Sequence, residues 1–141
     1  MRHDAEIIDT ISSIIADYND RSGSIPIDEL IEIADQLVCN CYTLAESVNS
    51  ARGDKIGWNV QRVKDEMKCW HQNETFNVTK AQQIARASVV DSGVYERAKD
   101  AEEYFESMEN RLKHADQVYQ QMRSRVSYLK KERSNTGNDA Y

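Results

Sequence analysis

Two groups of basic side chains lie close to aromatic rings in this sequence. Arg52, Lys55, Arg62, Lys64 and Lys68 run up to Trp70. Arg123, Arg125, Lys130, Lys131 and Arg133 surround Tyr128, with Tyr119 just ahead of them. Cations that track phosphates and rings that stack on bases are what a single-stranded nucleic acid asks of its binder. The same residues have a plainer reading. Cations near a helix C-terminus stabilise the helix dipole, and Trp70 and Tyr119 fall on apolar seam positions, which makes them core.

Other candidate chemistry is thin. Cys39-Asn40-Cys41 and Cys69-Trp70-His71 can be drawn as a four-ligand zinc site. Residues two apart on a helix point to different sides, so Cys39 and Cys41 would not converge. The thiols read instead as buried small hydrophobes. Their odd number reads as reduced thiols in a cytoplasmic protein. There is no glycine-rich phosphate loop, no His-Glu-x-x-His and no nucleophile elbow. Glu102-Glu103 reads as a solvated helix face, Arg52-Gly53-Asp54 as a helix irregularity, and His3, His71 and His114 are scattered. The expectation is a binding protein, not an enzyme, with no metal and no cofactor.

The elements that would carry these residues follow from composition and period. A chain of 141 residues is one domain by size. With 1 Pro, 5 Gly and 30% charged residues, it suits helices with wet outer faces. Only 8% of residues are aromatic, so the core is thin and helices must pair in a bundle or with other subunits. No apolar run approaches the ~20 residues that span a bilayer, and the acidic N-terminus is not a signal peptide. The net charge of −6 argues against a generic nucleic-acid coat. It is distributed in blocks: residues 1–50 hold 2 basic and 10 acidic side chains, 51–92 hold 7 and 5, 93–110 hold 2 and 6, and 111–141 hold 7 and 3. Such alternation lets subunits attract one another, or presents a local basic surface on an acidic chain.

Ile7, Ile11, Ile14 and Tyr18 recur at helical spacing over 4–19, with Asp4 as a cap. Residues 20–26, rich in Ser, Gly and Pro, read as a linker. A first long arm spans 27–71. Its seam, Ile27, Leu30, Ala34, Leu37, Cys41, Leu44, Val48 and Ala51, steps by threes and fours. The apolar pattern slips at 52–54 and resumes at Ile56, Val60, Val63, Met67 and Trp70, which predicts a helix that continues through a stutter. Residues 71–78 read as a polar turn. Thr79-Lys80-Ala81-Gln82 is a capping box that opens a short helix to 90, with Ala81, Ile84, Ala85 and Val89 on one side. Val94, Ala98, Ala101, Phe105, Met108, Leu112, Ala115, Tyr119, Met122, Val126 and Leu129 step 4, 3, 4, 3 without a miss. They define a second arm over 94–132, about 58 Å long at ~1.5 Å per residue, with 133–141 as a fraying tail. The fold class is therefore all-α: an antiparallel long helical hairpin with a short connecting helix and an N-terminal helix. Because a lone hairpin has little core, the expectation is that the N-terminal helix folds back onto it, that the chain is oligomeric, or both.

This layout resembles the small phage recombination mediators of the UvsY type over residues 27–132. The resemblance lies in a long helix, a polar turn at Asn73-Glu74-Thr75, a short helix opened at Thr79-Lys80-Ala81, a break at Val89-Val90-Asp91, and the Val94–Leu129 seam. That seam ends in Arg123-Ser124-Arg125-Val126-Ser127-Tyr128-Leu129-Lys130. The resemblance implies a homo-oligomeric, ring-like protein of the phage-infected cell's cytoplasm. It would bind single-stranded DNA and help load a recombinase onto DNA covered by single-strand-binding protein. It also implies that Lys64, with Arg62 and Lys68 beside it, contacts DNA late in the first arm; the neighbouring family position is Glu66 here. Arg52 and Lys55 would add to that binding, and the C-terminal cluster with Arg123 and Arg125 would be secondary or oligomer-forming. The competing reading is a non-catalytic phage structural or adaptor protein that assembles through its heptad seams.

Overall fold

The computed structural model describes residues 2–21, 23–72, 80, 83–85, 87 and 92–139, without the side chains of 2, 72 and 136–139. Every described residue outside 23–26 and 92–93 is helical. Three helices have defined bounds: α1 (Arg2–Arg21), α2 (Ile27–Gln72) and α3 (Val94–Asp139). The two long helices pack against each other. Lys80, Gln83–Ala85 and Ala87 are also helical, within the segment read as the short connecting helix. The capping box, apart from Lys80, and the positions Val89 and Asp91 lie outside the described residues, as does most of the expected polar turn.

Several boundaries differ from those the pattern predicts. Asp4 lies inside the first turn of α1 rather than ahead of it, where its charge still favours the N-terminal dipole. After α1, the Ser24 N–H donates to the Arg21 carbonyl at 2.8 Å, and α2 opens with the Leu30 N–H donating to the Pro26 carbonyl at 2.9 Å. Pro26 has no N–H to lose at this helix start. Gly93 takes φ 77°, a left-handed value that suits a residue without Cβ. Its carbonyl accepts from the Arg97 N–H at 3.1 Å and so begins α3. At the far end α3 does not stop at 132. It continues through the polar segment, expected to fray, as far as Asp139.

The packing falls into two compact units. One joins Met1–Ser47 with Glu109–Tyr141, and the other is Val48–Met108. In the first, α1 lays Ile7 and Ile11 onto a core of Leu30, Ala34, Leu37, Cys41 and Leu44 from α2 and Ala115, Val118 and Met122 from α3. Leu30, Leu37, Leu44 and Met122 are wholly enclosed. Burying side chains of this kind contributes ~1.5–3 kcal/mol each. The pairing of α2 with α3 here is antiparallel: Ile25–Ile27 meet the stretch from Leu129 to Asn135, and Ile31 to Asp35 meet Tyr119 to Lys130. Arg21 ties α1 to α2, with 2.7 Å to Glu29 and 3.3 Å to Asp17.

In the second unit the core is Val48, Ala51 and Cys69 of α2, Ala85 of the connecting segment, and Val94, Ala98, Phe105 and Met108 of α3. The α3 seam behaves as its period predicts: all eleven positions from Val94 to Leu129 are buried or half-buried. The α2 seam does so from Ile27 to Ala51 but not beyond. Ile56, Val60, Val63, Met67 and Trp70 are between 39% and 55% exposed. The inward positions are instead Lys55, Trp58, Arg62, Asp65 and Cys69, half-buried or buried. They continue the 4, 3, 4, 3 spacing from Ala51 with no stutter.

The reason lies in the partner helix. The α3 seam is unbroken, so a packed α2 must keep its own phase. A step of five residues, from Ala51 to Ile56, turns the following stripe by about 140° from Ala51 at 3.6 residues per turn, and about 100° from the next inward position, Lys55. α2 is continuous through Gly53, as expected. The core simply does not follow the apolar residues around it. Long side chains serve at the inward positions because their aliphatic stems cover apolar surface while their charges reach water.

Candidate nucleic-acid interface

The basic residues of α2 do not form one face. Arg52 and Lys55 converge on Phe105 of α3, at 5.4 Å and 4.9 Å from the ring centroid. Two cations on one ring fit a packing role, because the ring face attracts positive charge. Arg62 is half-buried and pairs with Glu66 at 3.0 Å, one turn on. Lys64 follows two residues later and so lies about 200° around the helix, fully in solvent. Lys68, four residues further, shares that flank and is also exposed. Among the described residues neither Lys64 nor Lys68 has an acid within 4.0 Å. Of the three cations that the resemblance singles out, two therefore stand free together and the third is turned inward and neutralised.

Trp70, read from its spacing as core, is 39% exposed on the outer stripe. The aromatic residue that does pack inward is Trp58. It is half-buried, with the guanidinium of Arg97 5.2 Å from its ring centroid. Its position was legible: 58 lies seven residues after Ala51, one full heptad along the same seam.

The C-terminal stretch of α3, in the other unit, is different in kind. Arg123 lies 5.9 Å from the Tyr119 ring, and Arg125 lies 5.5 Å from the Tyr128 ring. Arg123, Lys130, Lys131 and Arg133 are exposed and Arg125 half-buried. None of the five has an acid within 4.0 Å among the described residues. Shallow surface grooves flank this stretch, among them one that holds Glu132 and Arg133 beside Ile25–Ile27 and three further along the helix. Of these three, one runs between α1 and α3, from Tyr18 along Gln117, Gln121 and Arg125 to Tyr128. The second has Gln120, Ser124, Ser127 and Lys131, and the third has Tyr119, Arg123 and Lys130 beside Ile31 and Ala34 of α2. Amides and hydroxyls offer both donors and acceptors. The walls are not wholly basic, since Asp116 and Asp35 line two of them. The Tyr128 hydroxyl donates to Glu132, which raises its pKa and keeps the ring neutral. Tyr119, expected in the core, is half-buried and borders the third groove.

The cysteines do not come together. Cys41 and Cys69 are buried, whereas Cys39, expected buried, is exposed. Burial first, and the Asp116 carboxylate second, push the Cys41 thiol above its ordinary pKa, so it stays protonated and apolar in character. Among the described residues no three His, Cys, Asp or Glu side chains are grouped as a metal site. No described helix is long and apolar enough to cross a membrane.

No known protein family, characterised protein or solved structure matches this chain.

Proposed function

We propose that this chain is a non-catalytic single-stranded DNA-binding protein of the recombination-mediator kind. It acts as a homo-oligomer in the cytoplasm of a phage-infected cell and helps load a recombinase onto DNA that carries single-strand-binding protein. The observation that carries the reading is the α3 face from Tyr119 to Arg133. There, five cations with no acid within 4.0 Å among the described residues alternate with two tyrosines and a row of amides and hydroxyls. Phosphates supply the counter-charge for these cations, and bases stack on rings. Lys64 and Lys68 form a second, smaller basic patch. Arg52, Lys55 and Arg62 have packing or pairing roles instead.

Fluorescence anisotropy of a labelled oligo-dT, titrated with the chain at low and physiological salt against duplex competitor, tests this directly. Binding that prefers single strands and weakens with salt supports it. An absence of binding at low salt removes it. In that case the second reading, a phage structural or adaptor protein, stands on the exposed apolar stripe of α2, which is suited to a partner helix.

A further inference from the structure

The stripe on the outside of α2 has the period of a helix interface. Ile56, Val60, Val63, Met67 and Trp70 step 4, 3, 4, 3 and are 55%, 46%, 43%, 53% and 39% exposed. A run of this regularity is matched by another helix and not by a strand or a small ligand. Its exposed surface is on the order of 500 Å², at the upper end of what a monomer normally leaves open. Two such stripes face to face remove ~1,000 Å² in total, the area at which specific interfaces begin.

The flanks indicate which helix. With Val60 and Met67 at the a positions and Ile56, Val63 and Trp70 at d, the e positions are Gly57, Lys64 and His71, and the g positions are Asn59 and Glu66. Of the flanking charges, Glu66 is already paired with Arg62 of its own chain at 3.0 Å, which leaves Lys64 as the charge beside the stripe that an orientation must accommodate. In a parallel, in-register pair, g residues meet e residues of the next heptad. Asn59 then faces Lys64 of the partner subunit, and Glu66 faces His71 of the partner subunit, so no like charges oppose. An antiparallel pair with all five layers matched sets Lys64 against the partner's Lys64 and leaves Glu66 facing the partner's Asn59. Sliding it by one heptad separates the lysines but leaves Met67 and Trp70 opposite the partner's Gly53 and the partner's Asn49, past the end of the stripe. We infer that the outer stripe of α2 is the docking surface for a second copy of this chain, paired parallel and in register over residues 56–70. The inference rests on the spacing and exposure of this stripe and on the charges beside it, and is independent of the DNA reading.

The full chain is tested by light scattering after size exclusion, over about 1 to 100 µM. Wild type runs at twice the 16.2 kDa chain mass. Val60→Glu with Met67→Glu, both exposed within the single chain, halves that mass while far-UV circular dichroism keeps its helical amplitude. Orientation is read with Ile56→Cys and Trp70→Cys, made separately in a Cys39→Ser background that removes the exposed native thiol, and treated with a short bismaleimide. In-register parallel pairing cross-links both variants to dimers. A wild type that stays at the single-chain mass at 100 µM overturns the inference. So does a doubly substituted chain that keeps the wild-type mass, or failure of either cysteine to cross-link. Loss of oligo-dT binding in a chain that remains dimeric counts against the DNA reading only.

Discussion

Replacing Lys130 and Lys131 with alanine removes two of the five unpaired cations from the C-terminal face of α3. Both are exposed, so the helix loses charge but little packing. For single-stranded DNA, each neutralised phosphate contributes about −0.7 to the slope of log K against log salt. If all five cations engage phosphates, the wild-type slope is about −3.5, and affinity falls about 130-fold between 50 and 200 mM salt. The double variant keeps three contacts, with a slope near −2.1 and a fall of about 20-fold. The assay is the oligo-dT anisotropy titration repeated at four or more salt concentrations, with each variant's helicity checked in parallel. The matched control is Lys64→Ala with Lys68→Ala, which should lower the slope less than the α3 variant does. An unchanged slope for the α3 variant, together with a steep loss for the control, refutes the assignment. The late part of α2, as the family resemblance implies, would then be the binding site.

Four further outcomes follow from the packing. Trp58→Ala should lower stability by about 1–3 kcal/mol, because it empties an inward position. Val63→Ser, on the outer stripe, should stay within about 0.5 kcal/mol in dilute monomer; urea melts followed by circular dichroism separate the two, and the reverse order would place the seam on the wrong phase. Cys39 should react with a thiol reagent in the native chain, whereas Cys41 and Cys69 should react only on unfolding. Because burial raises the Cys41 pKa in the folded state, its contribution is complete below the unfolded thiol's pKa of about 8.5 and is lost as pH rises through the folded value. Wild type should therefore lose stability relative to Cys41→Val on going alkaline, and a pH-independent difference would contradict this. Gly53→Ala should stabilise α2 by roughly 0.5–1 kcal/mol, since a Cβ there meets nothing within 4 Å. A lower melting temperature for that variant would mean that the space is occupied in solution.

Much of the architecture is written locally. The eleven-position seam of α3, the seam of α2 as far as Ala51, and the Ile7, Ile11, Ile14 and Tyr18 stripe of α1 all end up buried or half-buried. Each is a periodic pattern that a single helix must bury somewhere, whatever it packs against. The turn at 23–26 and the break at Gly93 are equally local, because Pro lacks a donor and Gly accepts positive φ. The basic clusters were visible too, but not their state. Arg62 and Lys64 look alike in the sequence, yet one is turned inward to Glu66 and the other stands in water.

The sequence by itself determined an all-α chain with two long helices, because hydrophobic period and breaker placement act within one element. Only the tertiary structure decided which of two possible stripes on late α2 faces inward. The apolar residues there favour Ile56, Val60, Val63, Met67 and Trp70, but α2 packs against a neighbour whose seam never slips. A continuous helix cannot rotate about its axis midway to follow its own hydrophobic pattern, so phase is set by the partner. The apolar stripe is left facing out and long polar side chains are drawn in.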